Sequence, residues 1–178
     1  MSVKVHLRLD SSEDADPAST PCTPLVETAE DVFARALEEL IPEGTLPPKV
    51  EISLSFPSLA EMKEQNRKYR GIDEPTDVLS FPIWEEEGEF RPERRLPLIP
   101  LGDILICPEY VRVAAASEEA FQREMALMLA HGFLHLLAWD HDTDERRITM
   151  ERVQGRIQEE LLTVFAGGVS EAGKGDSR

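Results

Sequence analysis

The chain is 178 residues long, 41% hydrophobic and 30% charged, which suits one globular domain with its own core and excludes fibrous or wholly disordered chains. No apolar run approaches the ~20 residues of a membrane-spanning helix, and the opening MSVKVHLRLDSSED has neither the apolar stretch nor the cleavage site of a signal peptide. The formal charge of −16 repels polyanions at long range, and the two cysteines, Cys22 and Cys107, make no framework of pairs, as expected of reduced thiols in a cytoplasmic protein.

Residues 3–9 alternate apolar and polar and predict a first strand. Residues 11–26 collect Ser, Asp, Pro and Thr and predict a loop. Thr28 is placed to cap a helix whose Val32, Phe33, Ala36, Leu37 and Leu40 share one face, with Pro42 and Gly44 ending it. KVEISLSF at 49–56 is a second alternating strand. Ser58 caps a helix, LAEMKEQNRKYR, that runs to Gly71 and carries a basic strip of Lys63, Arg67, Lys68 and Arg70. For the first three the solvated face of a helix is the expected role. TDVLSFP at 76–82 is a third short strand, 85–100 an acidic, Pro-rich loop, and LGDILIC at 101–107 a fourth strand.

The remainder reads as helical. Pro108 starts a short helix to Ala116, and Ser117 opens a long one whose second half is apolar on nearly every side, hence buried. Thr143 caps a last helix to about Phe165. The expected organisation is a single α+β domain over residues 1–166, with a mixed sheet of about four strands packed with helices, and a flexible C-terminal tail at 167–178.

Three of the four histidines fall in HGFLHLLAWDH at 131–141. His131 and His135 stand at i and i+4 and project from one helix face. His141 follows six residues later, past the helix end. Two ligands from a helix and one from the returning chain make a three-nitrogen metal site of zincin type. Zinc takes imidazole nitrogen at ~2.0–2.1 Å, and with three protein ligands a fourth position stays open for a water that ionises near pH ~7. His6, alone on the first strand, is expected to be an ordinary surface histidine.

The +4, +6 spacing equals that of the zinc-peptidase motif HExxHxxGxxH, with two differences. Gly132 stands where a peptidase has its general-base Glu. Ala138 stands where a Gly leaves the helix through a left-handed turn, so Ala138 either bears that conformation or turns differently. Asp140 is either a turn residue, the favoured role, or an acceptor orienting a ligand. Thr76, Asp77 and Ser80 either line a cleft or serve strand-end hydrogen bonds. Arg70 can offer a fork of donors to phosphate, pair with Asp73 or Asp77, or act as a helix C-terminal charge.

HGFLHLLAWDH resembles the HGxLHLxGyDH signature of the YbeY proteins, bacterial endoribonucleases and rRNA maturation factors. YRGIDEPTDVLSFP at 69–82 is similar to that family's YRGxDxPTDVLSFP, and LGDILIC to its LGDIxIC. The resemblance covers roughly residues 50–155, departing at Ala138 for Gly and Trp139 for Tyr. It implies a zinc-dependent hydrolase cutting single-stranded RNA in ribosomal RNA processing and ribosome quality control, with the ribosome or ribosomal proteins as partners and no membrane association. It makes His131, His135 and His141 the ligands of one Zn2+ per chain and places Arg70 at the family's functional arginine, in catalysis and substrate binding. Two other readings compete: a non-catalytic ribosome-binding factor whose structural zinc is closed by a carboxylate or Cys107, and a metallopeptidase, which Gly132 counts against.

Overall fold

A computed structural model describes residues 3–10 and 23–172. The α+β arrangement expected from the sequence is present. Strands β1 (Lys4–Asp10), β2 (Lys49–Ser55), β3 (Val78–Pro82) and β6 (Ile99–Ile106) form one mixed sheet in the order β1-β2-β6-β3. The first three in that order run parallel, and β3 is antiparallel to β6, pairing Val78 with Ile106 and Pro82 with Gly102. Among the described residues no helix is long and apolar enough to cross a membrane.

Helices α1 (Thr23–Leu40), α4 (Glu118–Leu136) and α5 (Asp144–Ala172) contact one another over the larger core, with α3 (Pro108–Ala114) beside α4. Phe33 of α1 and Phe133 of α4 stack with ring centroids 4.2 Å apart, both fully buried. Helix α2 (Leu59–Arg70) serves a smaller cluster, where Met62, Leu79 and Cys107 are buried and Phe81 and Leu105 pack alongside. Burial raises the pKa of the Cys107 thiol.

Several boundaries differ from expectation for physical reasons. α1 begins at Thr23, so Thr28 lies inside the helix instead of capping it. The earlier turns form because Leu25, Val26 and Ala29 are buried and extend the apolar face of Val32, Phe33, Ala36 and Leu37. The rest of the expected loop, 11–22, lies outside the described residues. The loop at 85–100 contains a two-stranded hairpin, β4 (Glu85–Glu86) and β5 (Glu89–Phe90), turned by Glu87 and Gly88 at φ 54° and 76°. Its root is tied down where Trp84 Nε1 donates to Pro100 O at 2.6 Å and Arg91 N to Trp84 O at 2.8 Å. α5 continues past Phe165 to Ala172, and residues 173–178 of the expected tail lie outside the described residues.

β6 carries one residue more than β2 between their paired positions: Glu51 faces Pro100, but Ile52 faces Gly102. This bulge reverses the side-chain alternation. Ile99 and Leu101 face the larger core before it, and Ile104 and Ile106 after it, leaving Leu105 to α2. At Gly102 (φ 143°) a Cβ would lie 2.2 Å from Phe81 O, so only glycine fits beneath β3.

Candidate metal centre and active site

The long helix α4 is opened by Ser117, whose hydroxyl accepts from Ala120 N at 3.1 Å. Its C-terminal half lies directly on the sheet because Gly132 has no side chain. A Cβ there would stand 2.8 Å from Ile104 Cγ2 and 3.2 Å from Ser80 Oγ. The same close approach leaves no room for the general-base Glu of a peptidase.

The helix ends in a Schellman turn, with Ala138 N donating to His135 O and Trp139 N to Leu134 O at 3.0 and 3.1 Å. Ala138 occupies the left-handed position, φ 59°. The departure from Gly therefore changes no geometry; Ala bears the strain itself, on the order of 1–2 kcal/mol. The turn carries the chain back so that His141 reaches His131 and His135.

One ligand nitrogen from each of His131, His135 and His141 lies within 4.8 Å of the others, and this is the metal-capable cluster found among the described residues. The Nε2 atoms of His131 and His135 are 3.0 Å apart. Two nitrogens on a tetrahedral ion at 2.0–2.1 Å are separated by ~3.3 Å, so this pair fits a common ion closely. His135 has its pKa lowered to about 4, first by burial and then by repulsion from His131 and His141, with the nearby Arg70 adding to the effect and Asp140 opposing it. It stays neutral at physiological pH, the form a metal requires. Cys107 is not part of the cluster; it sits with Met62 and Leu79.

Arg70 lines the same cleft as the three histidines. It is the last residue of α2, which begins with a capping box between Ser58 and Glu61 and ends in a left-handed Gly71 at φ 73°. Asn66, buried in α2, donates from Nδ2 to Glu74 O at 2.7 Å and pins the loop that follows Arg70. Arg70 pairs with neither Asp73 nor Asp77. Asp73 binds Lys63 at 3.4 Å. Asp77 Oδ1 accepts from Val78 N at 2.7 Å and from the Thr76 hydroxyl at 3.0 Å. Thr76 and Asp77 thus serve the strand start, while Asp77 and Ser80 also line the cleft.

Asp140 Oδ1 accepts from His141 N at 2.7 Å, the turn role expected of it. His6 is exposed on β1 with Nδ1 3.2 Å from Glu30 Oε1, and it is absent from the cleft lining. Lys63, Arg67 and Lys68 are exposed and do not line the cleft, and Lys68 Nζ lies 4.7 Å from the Tyr69 ring centroid. Two residues here went unnoticed in the sequence. Arg146, in the first turn of α5, lines the cleft and pairs with Asp142 at 3.2 Å. Gln154, further along α5, has Oε1 2.8 Å from His131 Nδ1.

The fold and the histidine cluster define an α+β protein with three imidazoles able to hold a metal ion, beside an arginine, Arg70, that has no ion-pair partner among the described residues. Its family follows from comparison with known proteins. The family model described as Endoribonuclease YbeY matches residues 21–162. The chain is 43% identical over 144 residues to an Endoribonuclease YbeY of Geobacillus thermodenitrificans, covering 79% of this chain and 86% of that one. It is 37% identical over 167 residues to that of Halalkalibacterium halodurans, covering 90% and 97%. The solution structure of TM1509 from Thermotoga maritima superposes with a TM-score of 0.58 at 26% identity, covering 98% of this chain and 99% of that one. The chain belongs to the Endoribonuclease YbeY family.

Proposed function

We propose that this chain is a zinc-dependent endoribonuclease that cuts single-stranded RNA during ribosomal RNA maturation and ribosome quality control, in the cytoplasm and in contact with the ribosome or its proteins. The observation that carries this reading is the convergence of His131, His135, His141 and Arg70 on one cleft. The substrate class comes from the relatives, each named an endoribonuclease.

When bound, a divalent ion supplies positive charge to a phosphoryl oxygen and acidifies a water molecule. The three imidazoles would hold it without cancelling its charge, since each is a neutral donor. Three nitrogen donors, two of them 3.0 Å apart, favour zinc over magnesium or calcium, which prefer oxygen. Arg70, free of Asp73 and Asp77, can turn its fork to two oxygens of the scissile phosphate and stabilise the charge that grows there. The chain as a whole, at −16, repels RNA, so the strand is held where these cationic groups outweigh that charge.

The test is cleavage of a labelled single-stranded RNA by the purified chain, with and without chelator, beside a duplex control. Cleavage that is lost with chelator, restored by zinc and weak on duplex is expected. A protein that holds stoichiometric zinc yet leaves RNA intact would instead be a binding factor with a structural metal.

A further inference from the structure

Gln154 stands on the buried stripe of α5, between Met150 and Val153 on one side and Ile157 on the other, all three buried. Its side chain is half-buried and its Oε1 lies 2.8 Å from His131 Nδ1. An amide oxygen only accepts, so Nδ1 must carry the ring proton. The lone pair of His131 is then on Nε2, the atom that faces His135 Nε2 at 3.0 Å. With the amide turned over, its NH2 would need Nδ1 as acceptor. The ring proton would then move to Nε2 and block the ligand position. The other polar residues beside this ring on α5, Arg147 and Glu151, are engaged with each other at 3.3 Å.

We infer that Gln154 is a positioning residue for the metal centre: it holds His131 in the Nδ1–H tautomer and presents Nε2 to the ion. This rests on reading the cleft as a metal centre. The partner is a neutral amide where a ligating histidine often has a carboxylate. A carboxylate would make the imidazole a stronger donor and withdraw positive charge from the ion. The amide orients the ring and leaves that charge available to phosphate.

The test uses the full chain loaded with zinc, with affinity measured by competition against a chromophoric chelator. Gln154→Leu removes the acceptor and is expected to weaken zinc by about 10–100-fold. Gln154→Glu is expected to bind zinc at least as tightly as the unmodified protein while cutting RNA more slowly at saturating zinc. Long-range 1H–15N spectra of the unmodified zinc form should show the His131 proton on Nδ1. A folded Gln154→Leu that keeps full affinity, or a His131 proton on Nε2, overturns the inference. If Gln154→Leu does not fold, Gln154→Glu decides, and a tenfold loss of zinc there overturns it. His131→Ala separates the two readings: zinc lost in that variant but kept in Gln154→Leu sinks the role of Gln154 and leaves the metal centre standing. Zinc kept in both sinks both.

Discussion

Phe33 and Phe133 lie face to face, their ring planes 2° from parallel. One belongs to α1, which carries none of the family signature. The other sits between His131 and His135 in sequence, on the opposite side of α4 from the histidine cluster. The stack braces the helix that carries His131 and His135 against a part of the chain far from that cluster. Phe33→Ala is expected to cost ~3–5 kcal/mol, since neither ring can be replaced by collapse of the neighbouring helices. Denaturant unfolding measures this; a loss under about 1 kcal/mol would mean that the stack is dispensable.

Zinc should copurify at about one ion per chain. His135→Ala should lose it, and His6→Ala should keep it, because His6 is on β1 and pairs with Glu30. Metal analysis of both variants after gel filtration gives the answer, and equal content in the two would remove the site assignment.

Arg70→Ala should slow RNA cleavage by roughly thirtyfold to a thousandfold, equivalent to ~2–4 kcal/mol of transition-state stabilisation, with zinc still bound. Arg70→Lys should recover part of the rate, because a point charge cannot form the fork. Alanine variants of Lys63, Arg67 and Lys68 should have smaller effects, as none of the three lines the cleft. Equal losses in all four would make the strip a diffuse binding surface.

Gly132→Ala should destabilise the protein despite alanine's better helix propensity, worth about 1 kcal/mol. The new methyl meets Ile104 Cγ2 at 2.8 Å, and a β-branched side chain buried under a helix cannot swing away. A net loss of ~1–3 kcal/mol is expected from overpacking. Gly132→Glu should be worse and should create no peptidase. A thermal melt at or above that of the unmodified chain would show that α4 can lift off the sheet.

Ala138→Gly should act in the opposite direction. The left-handed backbone at φ 59° suits glycine, and the Schellman hydrogen bonds are made by the backbone alone. The expected gain is ~0.5–1 kcal/mol, the relieved strain less the extra freedom of glycine in the unfolded chain. A lower unfolding midpoint would mean that the Ala138 methyl makes contacts worth more than the strain.

Much of the candidate site was legible because its signals are local. His131 and His135 are one turn apart and His141 follows within the same short segment; Ser58 and Glu61 announce the start of α2, and Gly71 its end at Arg70. Gln154 lies 23 residues beyond His131 on another helix, and no spacing rule joins the two. Its one trace in the sequence is a polar residue on the stripe of Met150, Val153, Ile157 and Leu161. Arg146 read as one more charge in a charged first turn. The start of α1 was misplaced because Thr28 with Glu30 and Asp31 makes a plausible cap, while the burial of Leu25 and Val26 that overrides it depends on tertiary contacts. The hairpin at 85–90 was hidden in an acidic stretch with little strand propensity.

The extra residue in β6 also governs where this chain can change length. Removing Leu101 would bring Pro100 opposite Glu51 and Gly102 opposite Ile52 as consecutive pairs, so Ile104 and Ile106 would keep their places beneath α4 and the buried Leu101 side chain would be lost. A deletion at 101 should therefore cost core packing and leave the three histidines in place, whereas a deletion at 102 would put Leu101 where a Cβ meets Phe81 O at 2.2 Å and should break the pairing of β6 with β3. A few residues upstream the opposite holds. Residues 91–98 leave the hairpin and rejoin the sheet at Ile99 without entering a strand or helix. Additions there would lengthen a surface excursion, leaving β6 in register and the histidines undisturbed.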